Sequence, residues 1–155
     1  MRHAAGLLLG ILLTPALLAG AAWGYAQAAE SFDGGDRVIT DHTRGYGAFA
    51  LLAAVGLVAG VIIVARWASP LVSLVPALAL LGLSAAFLAD PGGVLGLPAR
   101  MHAPGDLDFG LRMLLGSGVD AMLGFALLVP TWAPRRWGGR DDDEPRVDYY
   151  SPAER

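Results

Sequence analysis

The chain has 155 residues, of which 55% are hydrophobic and 16% charged, and its formal net charge is −3 at pH 7. Soluble domains carry about 25% charged residues, so this balance argues against a soluble domain and indicates an integral membrane protein. Cysteine is absent, which excludes disulfides, thiolate nucleophiles and cysteine-bound metal centres. The negative charge comes mostly from one acidic segment near the carboxyl terminus and gives no indication of a nucleic-acid partner.

Lysine and asparagine are also absent, and all eleven basic residues are arginine. Both missing residues use codons that begin with AA, which indicates a GC-rich bacterial genome. We therefore predict that the chain resides in the bacterial cytoplasmic (inner) membrane, as a multi-pass protein in contact with the lipid bilayer.

The first apolar block covers about residues 4–28 and follows Arg2 and His3. It ends in Ala26-Gln27-Ala28, a pattern typical of a signal-peptidase site, so a cleaved signal peptide is one interpretation. The apolar stretch is about 20 residues long, which exceeds the usual core of a signal peptide and is enough to span a bilayer. A retained transmembrane helix is the interpretation that we favour.

Three further apolar blocks cover about residues 48–67, 71–89 and 114–134. The second and third are separated by only a few residues, which predicts an antiparallel helical hairpin. The sequence therefore predicts an all-α integral membrane fold, with four transmembrane helices in a small antiparallel bundle over residues 1–137. Residues 138–155 are polar and acidic and predict a disordered cytoplasmic tail.

The arginines near the predicted helix ends indicate the orientation. One side of the membrane would carry Arg2, Arg66, Arg135, Arg136 and Arg140, and the other side would carry Arg37, Arg44, Arg100 and Arg112. Positive residues mark the cytoplasmic side, so the five-to-four distribution and the signal-like start predict that both termini are cytoplasmic.

Glycines four residues apart recur in the first two blocks. Such pairs lie on one helix face and allow two backbones to approach closely, which supplies much of the association energy between helices in lipid. The pairs are Gly6 and Gly10, Gly20 and Gly24, and Gly56 and Gly60. They predict either packing between helices one and two of a monomer, which we favour, or contact with a membrane-protein partner or a second copy.

Asp120 is the one carboxylate that falls clearly within an apolar block. If the last span starts near Leu114, Asp120 lies about 10 Å below the membrane surface. A carboxylate at that depth needs a partner or a proton, and it is a functional candidate by default. On this interpretation Asp120 is an intramembrane coupling group, and Arg44 or Arg112 is its counter-charge.

The alternative interpretation makes Asp120 part of a helix cap, which we favour because it leaves no unpaired buried charge. Ser117 and Asp120 fit the S-x-x-[DE] pattern of a capping box, with Ser117 as the capping residue. The last helix would then begin at Val119. The preceding residues, Asp108 to Leu115, would form a short interfacial helix on the outer surface.

No phosphate-binding loop, nucleophile elbow or metal-ligand spacing is present in the sequence. We therefore predict a non-enzymatic accessory or assembly subunit for a membrane partner, without cofactor or metal. The alternative is a small oligomeric transporter or channel subunit with Asp120 as the coupling carboxylate. A third hypothesis, an enzyme with a site around His42 and His102 in the outer loops, has the least support.

Overall fold

The computed structural model describes residues 2–36, 38–65, 69–100 and 104–132. The predicted cytoplasmic tail lies outside the described residues. So do several residues used to predict orientation or a site: Arg37, Arg66, His102, Arg135, Arg136 and Arg140. The side chains of Arg2, His3 and Arg100 are likewise not described.

Among the described residues, three helices are long and apolar enough to cross a bilayer, and a bent helix pair makes a fourth if it counts as one span. Helix α1 covers Arg2–Glu30, α2 covers His42–Val64 and α3 covers Leu71–Ala89. The prediction of a helical protein with several membrane-length apolar helices is therefore confirmed. Leucine and alanine dominate these segments, and both favour helix.

Helices α1 and α2 are joined by a small antiparallel hairpin. Strands β1, Phe32–Asp33, and β2, Val38–Ile39, pair with Phe32 opposite Ile39. We call the end of the bundle that carries this turn the hairpin end. The carboxylate of Asp41 then accepts a hydrogen bond of 3.0 Å from the backbone N–H of Arg44 and caps α2. Because of this cap, α2 begins at His42, six residues before the start of the predicted span.

The segment after α3 forms two short helices, α4 at Pro91–Leu95 and α5 at Leu97–Arg100. Two longer ones follow, α6 at Gly105–Gly116 and α7 at Val119–Leu128, and a 3-10 turn at Val129–Trp132 extends α7. The axes of α6 and of α7 with its 3-10 extension differ by 71°. The predicted fourth span, 114–134, is therefore broken at residues 117–118.

The break is made by Gly118, not by a serine cap. Gly118 has φ 76°, in the left-handed region that glycine enters without steric penalty, and it is the residue that precedes α7. The Ser117 hydroxyl donates instead to the carbonyl oxygen of Leu114, at 3.0 Å. The predicted capping box is therefore wrong, although α7 does begin at Val119. The short helix expected before the last span is present as α6, which is longer than the predicted 108–115.

Helix α1 lies at the centre of the packing and contacts α2, α3 and α6, whereas α7 packs mainly against α3. One apolar cluster joins these spans around Leu17, Leu80 and Leu127. A second cluster, around Ala22, Val94 and Leu111, attaches α4 and α6 to α1 at the hairpin end. Helix α6 therefore packs against the bundle, and does so at Gly110, where a Cβ would overlap the carbonyl group of Ala22.

Candidate functional site

Among the described residues, Asp120 has the most deeply buried ionisable side chain, with an exposed fraction of 1%. It stands in the first turn of α7, directly after the Gly118 break. The hydroxyl of Ser84 on α3 donates a hydrogen bond of 2.9 Å to Asp120 Oδ2. Asp120 Oδ1 is buried and has no hydrogen-bond partner in the described part of the chain.

Because Ser84 and Asp120 are hydrogen-bonded, the distance of Ser84 from the last residue of α3 shows how deep Asp120 lies in the bundle. Ser84 is five residues before the last residue of α3, Ala89, which corresponds to about 7.5 Å along the helix. A buried ionised carboxylate with one hydroxyl partner is costly, whereas a neutral carboxylic acid at the same place is much less so. The arrangement is therefore suited to holding a proton on the carboxyl group.

The structure does not bring either predicted counter-charge to Asp120. Arg112 Nη2 pairs with Asp108 Oδ2 at 2.9 Å, one turn away on α6. Arg44 Nη2 pairs with Glu30 Oε2 at 2.6 Å. The physical reason is that both arginines have a carboxylate within reach at the surface, where pairing requires no desolvation of a second buried group.

Arg44 instead belongs to a polar network that joins three helices at the hairpin end. Its Nε donates to Gln27 Oε1 on α1, and Gln27 Nε2 donates to Asp106 Oδ2 on α6 at 3.0 Å. Gln27 is buried, with an exposed fraction of 9%. The network formed by Gln27, Glu30, Arg44 and Asp106 thus connects α1, α2 and α6, and we refer to it as the hairpin-end network.

The sequence did not predict this network, because Gln27 lies in the Ala26-Gln27-Ala28 pattern that is typical of a signal-peptidase site. The available signal was a glutamine at the end of a long apolar block. A buried amide in a span needs hydrogen-bond partners, which the charged residues of the adjoining loops supply. Ser84 was missed for a similar reason, since a single serine in an apolar helix has no distinctive pattern.

The glycines of α1 pack within the monomer. A Cβ at Gly6 would come within 2.6 Å of Ser69, and one at Gly10 within 2.9 Å of Val75, so these two face α3. A Cβ at Gly20 would come within 2.9 Å of Val55, and one at Gly24 within 3.0 Å of Leu52. The second pair therefore faces α2, as the favoured interpretation expects, and the first pair faces a different helix from the one expected.

Gly56 and Gly60 of α2 are not part of this packing. A Cβ at either position would meet no atom of the described chain within 4 Å. Their neighbours on α2 include strongly exposed apolar side chains, such as Leu57 at 69% and Val64 at 73%. We call the surface formed by Gly56, Leu57, Gly60, Val61 and Val64 the α2 glycine face.

An apolar groove of about 500 Å³ between α1 and α2 adjoins the α2 glycine face. Its walls come from α1 and α2, including Leu9, Leu13, Leu57 and Val61, and the first residues of the α3 segment close it. Neither Asp120 nor Ser84 lines it.

The outer-loop histidines do not form a site in the described structure. His42 lies at the start of α2 beside Tyr46, with ring centroids 6.0 Å apart. His102 lies outside the described residues. Among the residues that the structure describes, no group of three or more His, Asp or Glu side chains could hold a metal ion.

No family model matches the chain, and neither a curated protein nor a solved structure matches it significantly.

Proposed function

We propose that the chain is a non-enzymatic accessory or assembly subunit that binds a membrane-protein partner through the α2 glycine face. The observation that carries the proposal is the contrast between the two glycine-bearing helices. The four glycines of α1 face neighbouring helices, whereas Gly56 and Gly60 are open on the outside of the bundle.

The physical argument rests on what lipid does to helix association. Burial of leucine against leucine gains nothing over burial in lipid, so small residues that allow close backbone approach supply the contact energy. Within the described chain, Gly56 and Gly60 provide no such approach. Each glycine also weakens helix formation by about 1 kcal/mol relative to alanine. A partner helix that packs against this face offsets that cost.

The proposed setting is the bacterial cytoplasmic membrane with both termini inside the cell. The support is the arginine distribution and the codon usage implied by the composition. In this orientation the acidic residues after the last span are available to a cytoplasmic partner.

The test is a mild-detergent purification through a tag at the carboxyl terminus, followed by mass spectrometry. The critical variant is Gly56→Phe, and the matched control is Gly82→Phe on α3, where a Cβ also meets no described atom within 4 Å. We expect a partner in fixed ratio with the wild type and the control, and its loss with Gly56→Phe. Recovery of the same partner with all three proteins would show that the partner does not bind the α2 glycine face.

A second candidate function is supported by a different observation. Asp120 Oδ1 has no hydrogen-bond partner in the described chain and lies next to a 71° break between two apolar helices. A buried carboxyl group at a helix break is the arrangement expected of a proton-coupling site in a small transporter or channel. The test is proton flux into proteoliposomes loaded with a pH-sensitive dye. If Asp120 is a coupling group, the wild type should show a proton flux, and the Asp120→Asn variant should remain folded but show none. Equal flux with both proteins would exclude the coupling role.

A further inference from the structure

Helix α6 is joined to α7 by a segment with the properties of a hinge. Residues 116–118 are all exposed, and a Cβ at Gly116 or Gly118 would meet no described atom within 4 Å. Gly118 also has the left-handed backbone at the 71° bend. Hinges are a few residues at element ends that absorb a large change in φ and ψ. A change in the angle between α6 and α7 therefore meets no steric obstacle at the bend.

Two specific contacts with α1 hold α6 against the bundle. One is the close approach of Gly110 to the carbonyl group of Ala22. The other is the hydrogen bond of 3.0 Å that Gln27 Nε2 donates to Asp106 Oδ2. Asp106 is in the first turn of α6, at the opposite end from the bend. Loss of this one hydrogen bond therefore frees the part of α6 that would move farthest.

The second apolar cluster, which α6 completes with Leu111 and Leu115, lies between Asp120 and the hairpin end. On α3 the cluster packs against Phe87, which is three residues nearer the end of the helix than Ser84, the hydrogen-bond partner of Asp120. The cluster also includes α4, which follows the end of α3. A swing of α6 away from α1 would take both leucines out of the cluster and open a way for water toward Asp120.

We propose that α6 is a lid that opens at residues 116–118 and admits water from the hairpin end to Asp120. The lid rests on the second candidate function, because it supplies the route by which a proton would reach the coupling group. The carboxyl group lies two residues after the bend, on α7, which packs mainly against α3 and not against the lid. Asp120 is therefore next to the gap that an opening of α6 creates.

The test is the labelling of a single thiol at position 120 by a water-soluble, permanently cationic methanethiosulfonate, with the full chain in phosphatidylcholine nanodiscs. The chain has no cysteine, so Asp120→Cys supplies the only thiol. Mass spectrometry gives the labelling rate, which reports how often water reaches this position. The reference is Ala77→Cys on α3, a position that is 0% exposed and belongs to the apolar cluster of the spans. Only a general loosening of the bundle would expose that second thiol.

The lid is released by Asp106→Ala in the Asp120→Cys background, because this change removes the hydrogen bond to Gln27. The matched control is Asp108→Ala. Both carboxylates are in the first turn of α6, but that of Asp108 bonds within the helix, to Arg112. We expect labelling to be roughly two- to tenfold faster with Asp106→Ala, as the loss of one hydrogen bond predicts, and unchanged with the control.

Equal labelling rates with Asp106→Ala and Asp108→Ala would overturn the lid. So would the absence of labelling in every variant, or an equal acceleration at Ala77→Cys, which would show that the whole bundle loosens. The proton-flux assay separates these outcomes from failure of the transport function. Labelling that depends on Asp106 in a protein without flux would exclude transport and leave the lid in place, whereas equal rates in a protein with flux would overturn the lid alone.

Discussion

Replacement of Gly110 by alanine tests the contact that fixes α6 against α1. The added Cβ would overlap the carbonyl group of Ala22. This group belongs to the backbone of α1 and cannot move aside as a flexible side chain could. The two helices would have to separate by about 1 Å or more, which forfeits about a quarter to a half of the dispersion energy across the contact. Overpacking of this kind costs about 1–3 kcal/mol.

An opposing effect reduces this cost, because alanine favours helix over glycine by about 1 kcal/mol. The separation also loosens the apolar cluster of Ala22, Val94, Leu111 and Leu115. The net of these effects is a loss, so we expect Gly110→Ala to lower the free energy of unfolding by about 1–2 kcal/mol.

The assay is unfolding by sodium dodecyl sulfate in mixed micelles, followed by far-UV circular dichroism. The control is Gly82→Ala, which gains the same helix propensity at a position with open space around it. The control should be neutral or up to about 1 kcal/mol more stable. If both variants unfold at the same detergent fraction, α6 does not pack on α1 as described.

Three further outcomes follow from the contacts, each measured by the same unfolding titration. Ser84→Ala leaves both carboxyl oxygens of Asp120 without a hydrogen bond in the described chain and should lower the free energy of unfolding by about 1–3 kcal/mol. The double variant Ser84→Ala with Asp120→Leu should recover part of that loss. Unchanged stability of Ser84→Ala would contradict the hydrogen bond. Gly118→Ala places a Cβ in the left-handed region and should cost about 1–2 kcal/mol, so a neutral result would argue against the break at this residue. Glu30→Gln removes the ion pair with Arg44, whose side chains are 40% and 38% exposed, and leaves the contact of Arg44 with Gln27 in place, so it should cost less than about 1 kcal/mol and less still in high salt; a larger, salt-insensitive loss would show that the pair is not solvated.

The apolar segments could be located from the sequence because insertion into lipid depends on length and composition. A run of about 20 apolar residues satisfies its backbone groups as a helix in a bilayer, whatever its neighbours are. Helix α3 has the bounds of its apolar block, Leu71–Ala89. The predicted start of α2 is six residues too late, because residues 42–47 are mostly polar or small and do not extend the apolar run, although Asp41 is a capping signal in the sequence.

The rotation of each helix about its axis could not be read in the same way. A soluble helix shows a polar face that points outward, whereas these helices are apolar on every side, so the sequence does not indicate which glycine meets a neighbour. Only the packed structure separates Gly20, which meets Val55, from Gly56, which is open.

The sequence by itself determined that the chain forms helices long and apolar enough to span a membrane and that a carboxylate begins its last apolar segment, because both follow from composition along the chain. The tertiary structure decided the partners: Ser84 for Asp120, Glu30 and Gln27 for Arg44, and the left-handed Gly118 in place of a serine cap. These pairings join residues as far apart as 36 positions in the chain, so they depend on how the helices pack and not on local pattern.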